Sequence, residues 1–513
     1  AVSLPEPSRW KALLQRPFWI LWLEHAVFLC LIILVVAVPH PTRIGLWSFR
    51  VALGLWMVRL ALGRDFKREP LFLPVLAFFI VAGISCLFSY DPLLSWTRLG
   101  WFSLIMLAVI VPSAVKTTAQ LRLLVVVLLV SSMGSVARTA WQYTAGIGTK
   151  LVYVRRYSSL ATAGLWSGDM IQSINGHSTR TPWQWKKTLE VTRKDKFLRL
   201  HVARNYPLHH FEVTVPRGFL YRWLAEPTST VARGTPVRAQ GHFYNSVPYA
   251  GLLMVLAIVA WGLLLTSPGN KWKLRVLLGI TFLSLVASLW ATVTRAYLLS
   301  LLIACFLLLC QRVRWRMRLI AATVILVAIA VTSEWIHDKR NVGWLGEKDP
   351  YRVMMWKDSV RLVAQHPLFG VGWDSVFTHG RAWGLEAYQR FPRRAGHFHS
   401  TPIQIAVDSG FVGLAAWILL ILAFLRLAIR TLRRNSRADW FSCGLAYGIL
   451  GSAIAFLLGS IVHYTLGDAE VMALIWLLMG MAIVLWRTLP GPRGPLQKTL
   501  VACESYATTH SSK

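Results

Sequence analysis

The amino-acid sequence predicts an all-α polytopic membrane protein of about twelve transmembrane helices, with a small α+β domain inserted between the fifth and sixth. Three observations carry that prediction. Of 513 residues, 55% are hydrophobic and only 15% charged, against roughly 45–50% apolar and about 25% charged in an ordinary soluble domain. The apolar residues gather into stretches of about 17–25, the length that crosses a bilayer. Lys and Arg collect in alternate short loops, the bias that fixes orientation in a membrane. A soluble enzyme does not fit this composition.

The charged minority is lopsided: 55 Lys and Arg against 22 Asp and Glu leave a formal +33. Nucleic acid is the usual partner of so basic a chain. Here long apolar runs separate the basic residues, with no zinc-ligand spacing and no RNA-binding aromatic motif. Anionic lipids are therefore the expected partner of the charge, and nucleic acid is not. Cys30, Cys86, Cys305, Cys310, Cys443 and Cys503 fall in apolar runs or the C-terminal tail without a CxxC pair, so neither a disulfide framework nor a metal site is expected.

Taken in order, apolar stretches at 18–38, 44–62, 71–89, 95–114 and 122–143 form helices 1–5 of a first region, 1–144. The first is too long for a signal-peptide core and lacks a small-residue cleavage site, so it is read as a span. Residues 145–217 are polar enough to fold on their own. Gly168-Asp169 marks a turn, MIQSI a strand, Asn175-Gly176 a second turn, PWQWKKTLEV a helix, and two alternating strands follow. This insert resembles a PDZ domain. The likeness implies edge-strand capture of a periplasmic protein, with a plain spacer as the other reading.

Stretches at 247–266, 276–294, 297–311 and 319–335 form helices 6–9 of the region 218–335. In the loop 336–401, Val353, Trp356, Val360 and Val363 recur at helical spacing until Pro367, Gly370 and Gly372, which reads as a helix lying on the membrane surface. Stretches at 402–425, 441–463 and 469–486 complete helices 10–12 of the region 402–487, and 488–513 is a tail. Basic loops such as the one holding Arg64 and Lys67, and the one holding Arg312, Arg314 and Arg316, belong inside. Both termini are then cytoplasmic, and the insert and the 336–401 loop face outward, into the periplasm if this is a bacterial inner membrane.

Ionisable residues in or beside spans are functional candidates, because burying them in hydrocarbon is costly. Glu24 and Arg59 are expected to pair structurally, while Arg50 and Arg138 lie nearer the outer side. Arg238 precedes helix 6, Arg295 stands where helices 7 and 8 meet, and His397 and His399 precede helix 10. Guanidinium suits phosphate oxygens, and a neutral imidazole accepts a proton near pH 7. Together they suit a phosphorylated lipid donor and a hydroxyl nucleophile.

The stretch HSTPIQIAVDSGFVG has His399-Ser400, then nine residues, then Gly410, two residues and Gly413. It is similar to the motif of the O-antigen ligase and O-antigen polymerase family. RAQGHFYNSVPYAGLLMVLA, ATVTRAYLLSLL and YRVMMWKDSVRLVAQHPLFGVGWDSV agree with that family in order. Asp408 departs from it, standing where relatives often carry Glu. The resemblance implies an inverting glycosyltransferase that needs no metal or cofactor. It would move O-antigen-type glycan from undecaprenyl diphosphate to a lipid A-core hydroxyl. His399 would be the catalytic base, Arg238 and Arg295 would hold the donor diphosphate, and His397, Arg393, Arg394, Asp408, Arg50 and Arg138 are possible site neighbours. An O-antigen or exopolysaccharide polymerase and a protein O-oligosaccharyltransferase differ from this only in acceptor. A transporter of lipid-linked glycan would gather its ionisable groups near mid-membrane, whereas these collect at one face.

Overall fold

A computed structural model gives the fold and describes residues 18–62, 69–205, 208–226, 230–340, 350–391, 396–434 and 439–488. Arg64, Lys67, Arg393, Arg394 and the tail beyond 488 lie outside the described residues. The first helices are α1 (Phe18–Ala37), α2 (Arg43–Leu62), the short α3 (Phe72–Leu87), α4 (Pro92–Phe102), which continues through a 3-10 turn into α5 (Leu107–Ala114), and α6 (Thr118–Thr144). The inserted segment supplies β1 (Gly148–Leu151), α7 (Ser159–Thr162), β2 (Met170–Ile174), β3 (His177–Ser178), α8 (Pro182–Val191), β4 (Phe197–Asn205), β5 (Leu208–Pro216), α9 (Arg217–Ala225) and β6 (Val231–Gly234). There follow α10 (Ser246–Thr266), α11 (Trp272–Ala291), α12 (Arg295–Cys310), α13 (Trp315–Arg340), α14 (Pro350–Gln365), α15 (Ser375–His379), α16 (Glu386–Arg390), α17 (Thr401–Arg434), α18 (Trp440–Val462) and α19 (Ala469–Thr488).

Each of the twelve apolar stretches is helical, and among the described residues nine helices are long and apolar enough to cross a membrane. The chain is a multi-pass membrane protein. The other three stretches are α3 and α12, apolar but only 16 residues each, and α13, whose sequence is charged toward both ends. At 1.5 Å per residue, 16 residues span about 24 Å, short of the roughly 30 Å of hydrocarbon. Leu29, Val130, Leu283 and Leu419 point outward from their helices, as side chains facing lipid tails do.

The chain divides into two compact units. The first holds residues 1–133, 250–286 and 295–513. At its centre a side chain on Gly262 would meet the backbone of Gly444 and Gly448, so glycine lets α10 and α18 approach backbone to backbone. Glu24 and Arg59 form an ion pair at 2.6 Å, the structural role their positions suggest. Outside the spans, Tyr351, Met355, Leu362, Val376, Ala387 and Phe398 build a small core. Asp358 of α14 accepts the amides of Glu386 and Ala387 at 3.2 and 3.1 Å, capping α16. The Val353–Val360 stripe is not that core face: both valines are exposed, and the buried side of α14 is the one carrying Tyr351, Met355 and Leu362.

The second unit holds residues 134–249 and 287–294. Its sheet is antiparallel in the order β5-β4-β2-β1-β6, with β3 paired to β2. Asn175 (φ 49°) and Gly176 (φ 82°) turn β2 into β3, the left-handed pair that tight hairpins demand. Thr181 and Gln184 form a reciprocal capping box at the start of α8. Buried Asp169 accepts Arg204 Nε and Nη2, each at 2.7 Å, and this holds the Gly-Asp turn. The sheet runs past the expected boundary at 217, because β6 pairs with β1 from Gly148↔Gly234 to Leu151↔Val231. Those four residues are short and mostly exposed, so they carry no apolar alternation that a sequence could display.

Candidate active site

The site grows from a broken helix. Within α17, Gly410 adopts φ 66°, ψ −169°, which interrupts the backbone ladder. Segment 367–372 repairs it. Val371 and Gly372 donate to the carbonyls of Val407 and Asp408, each at 2.9 Å, and Phe411 donates to Pro367 O at 2.8 Å. Ser85 of α3 donates to Phe369 O at 2.8 Å and Asp408 O at 3.0 Å. A broken membrane helix persists only when its freed backbone groups find partners in the protein, and here they do. A side chain on Gly410 would strike Leu368 O, and one on Gly370 would strike Val407 O. The glycine of the His-Ser motif is thus a requirement of backbone shape and close approach.

One turn before the break, Gln404 donates its amide to both carboxylate oxygens of Asp408 at 3.0 Å. Its own oxygen accepts Phe398 N–H at 2.9 Å, while Trp356 Nε1 donates to Phe398 O at 3.1 Å. Phe398 is fully buried, so the clamp fixes the histidines on either side of it. His399 takes φ 52°, a left-handed conformation uncommon outside glycine. Its ring meets His397 edge-on with centroids 4.2 Å apart, and Tyr351 at 5.6 Å. Thr401 donates to His463 O at 2.9 Å, and the His463 ring lies 4.8 Å from Tyr297. That chain of contacts ties the first turn of α12, which Arg295 opens, to the start of α17.

A cavity of about 350 Å³ opens beside this clamp, walled by Arg98, Trp373, Asp374, His397, Asp408 and Tyr464 among others, with Asp468 and Trp476 also in its lining. Arg98 pairs with Asp374 at 2.7 Å. Trp373 Nε1 and His397 Nδ1 are buried without a hydrogen-bond partner among the described residues, and orphaned polar groups on a pocket wall are what a polar ligand satisfies. Burial, with the charges of His397, Arg352 and His463 adding to it, pushes the His399 imidazole down to about 2. His397 is lowered too, chiefly by burial. Both are neutral at physiological pH. Burial, with the Glu470 charge adding to it, raises the Asp468 carboxyl to about 8, so at neutral pH it can donate as well as accept. Among the described residues no three His, Cys, Asp or Glu side chains converge as metal ligands.

The site's four longest-range pieces lie in α14, the 367–374 loop, the His397–His399 clamp and the first turns of α17. Residues 279–418 match the O-antigen ligase family model. Among curated proteins none matches the chain. The stretch similar to O-antigen ligase thus contains Arg295, Asp374, His397, His399, Asp408 and Gly410, whereas Arg98, Tyr464 and Asp468 come from outside it.

Of the residues singled out in the sequence, His397 and Asp408 line the cavity, and His399 stands behind His397. Arg238 belongs to the second unit, where its Nε donates to Thr292 O at 2.8 Å and its Nη2 to Thr294 Oγ1 at 2.9 Å. Arg50 is exposed on α2 with its guanidinium over Trp47, away from this cavity. Arg138 lines a different cavity in the second unit. Arg98, Asp374, Tyr464 and Asp468 were not singled out, although Arg98 sits inside an apolar stretch and carried the same signal as Arg50 and Arg138.

Proposed function

We propose that the protein is a glycosyltransferase of the O-antigen ligase type, moving glycan from an undecaprenyl-diphosphate carrier to a lipid A-core hydroxyl at the periplasmic face of a bacterial inner membrane. The observation that carries the reading is the clamped His397-Phe398-His399 segment. It holds the neutral His397 imidazole on the wall of a polar cavity and the neutral His399 imidazole in contact with it, within the stretch similar to O-antigen ligase. The acceptor oxygen attacks the anomeric carbon, the bond to the carrier diphosphate breaks on the opposite face, and His399 takes the hydroxyl proton. Arg295 and Arg238 are assigned to the diphosphate, offsetting the charge it gains as it leaves. The left-handed backbone of His399 supports the role, since such strain is retained where function over-determines it.

In a reconstituted assay with lipid-linked glycan and purified lipid A-core, His399→Ala should slow transfer by roughly 10²–10⁴-fold, the usual worth of a positioned base. Full activity in that variant rejects the base assignment. Arg295→Ala and Arg238→Ala should each raise the apparent KM for donor with acceptor saturating. The gel of products decides between lipid A-core, longer lipid-linked glycan and glycosylated protein, which separates ligase from polymerase and oligosaccharyltransferase.

A further inference from the structure

The second unit carries a cavity of about 380 Å³ in which the end of α6 meets the inserted sheet and the segment before α10. Arg138, Arg180, His210 and His242 line it, and no Asp or Glu is among the described residues that do. A neighbouring cavity of about 610 Å³ shares Trp141, Gln172 and Arg180 with it, so the two form one groove along β2 and α8. Gln142 is 9% exposed, and its Nε2 donates to Gly241 O at 3.3 Å. Its Oε1 lacks a hydrogen-bond partner among the described residues. A buried acceptor left open in a groove is satisfied by a ligand hydroxyl or amide. Gln172 Oε1 lies 3.1 Å from Nδ1 of both His201 and His210. As the shared acceptor it holds both imidazoles with Nδ1 protonated. Trp141 is exposed beside them.

We infer that this groove binds an anionic oligosaccharide. Arg138 and Arg180 take its phosphate or carboxylate, Gln142 Oε1 takes a sugar hydroxyl, and Trp141 receives the apolar face of a ring. The combination of permanent cations, side-chain amides and an open indole distinguishes a charged sugar from a bare anion, which needs no amide or indole. It also distinguishes it from an extended peptide, which would pair along a strand edge. The inference rests on the reading of the substrate as glycan and places a binding role on the inserted domain.

The test is equilibrium binding to the full-length protein in nanodiscs, without turnover, so that it stands apart from any failure of the transfer assay. The probe is a fluorescent hexasaccharide bearing one phosphomonoester. It should bind about tenfold or more tighter than its dephosphorylated form or inorganic phosphate, the worth of one charge-assisted contact. Arg180→Gln, an exposed position, should weaken it by about tenfold while Arg180→Lys retains part of the affinity. Gln142→Leu should weaken the phosphorylated and neutral sugars by the same factor. The inference is overturned if Arg180→Gln and Arg138→Gln bind as the parent does. Equal binding of the neutral sugar, equal competition by phosphate alone, or preference for a hexapeptide with a free C-terminus would each overturn it as well.

Discussion

His399 is neutral chiefly because burial strips water from its protonated form, and the Arg352 charge adds to that penalty. An imidazole lowered to about 2 is deprotonated at every working pH, so it is always able to accept a proton, though weakly in the empty site. A bound diphosphate reverses the local field and favours the protonated form. The sign of the pH effect follows. kcat/KM for donor, which reports the free enzyme, should show no loss from protonation of His399 as pH falls from about 8 to about 5, while the acid limb of kcat should lie at higher pH because donor charge raises the imidazole. A free-enzyme limb near the ordinary histidine value of about 6.5 would count against burial as the controlling effect. The residue types here were legible in the sequence, since a His pair before an apolar run is visible by inspection. Their neutrality was not, because it depends on how deeply the fold buries them and only then on which cations pack nearby.

At the scale of elements, the break in α17 is the feature on which the site depends. The two motif glycines serve it unequally. A side chain on Gly410 would strike Leu368 O and would also sit at positive φ, whereas one on Gly413 would meet the hydroxyl and Cβ of Ser409 without a left-handed backbone. Rotation of the serine relieves its hydroxyl but leaves its Cβ in place, so what separates the two positions is the left-handed backbone that Gly410 requires and Gly413 does not. Gly410→Ala should therefore cost about 1–3 kcal/mol or more of stability, read as a large drop in melting temperature and in detergent-soluble yield. Gly413→Ala should cost clearly less, and equal losses would show that the kink is not what the motif protects. The motif spacing was legible, but its reason was not. Pro367, Gly370 and Gly372 read as the end of one helix, and only folding shows that the segment after it repairs the backbone of another.

At the scale of the whole molecule, the sheet's closure by β6 changes how the insert should be removed. Deleting 150–216 would leave β6 only half of β1 to pair with, exposing unpaired edges, whereas replacing 148–234 with a short linker removes the sheet entire. If the insert only spaces the helices, that replacement should leave transfer unchanged in detergent and in cells. Retention in detergent with loss in cells would indicate recruitment, and loss in both would fit a groove that binds substrate. The sequence by itself determined the membrane class, the helical stretches and the polar insert, because hydrocarbon thickness and backbone hydrogen bonding leave a chain so apolar few alternatives. It also displayed the His-Ser motif and its glycines. Only the tertiary structure decided that Arg98, Asp374, Tyr464 and Asp468, distant in sequence, wall one cavity with His397 and Asp408. Convergence of this kind follows from how helices break and pack, and no local pattern along the chain encodes it.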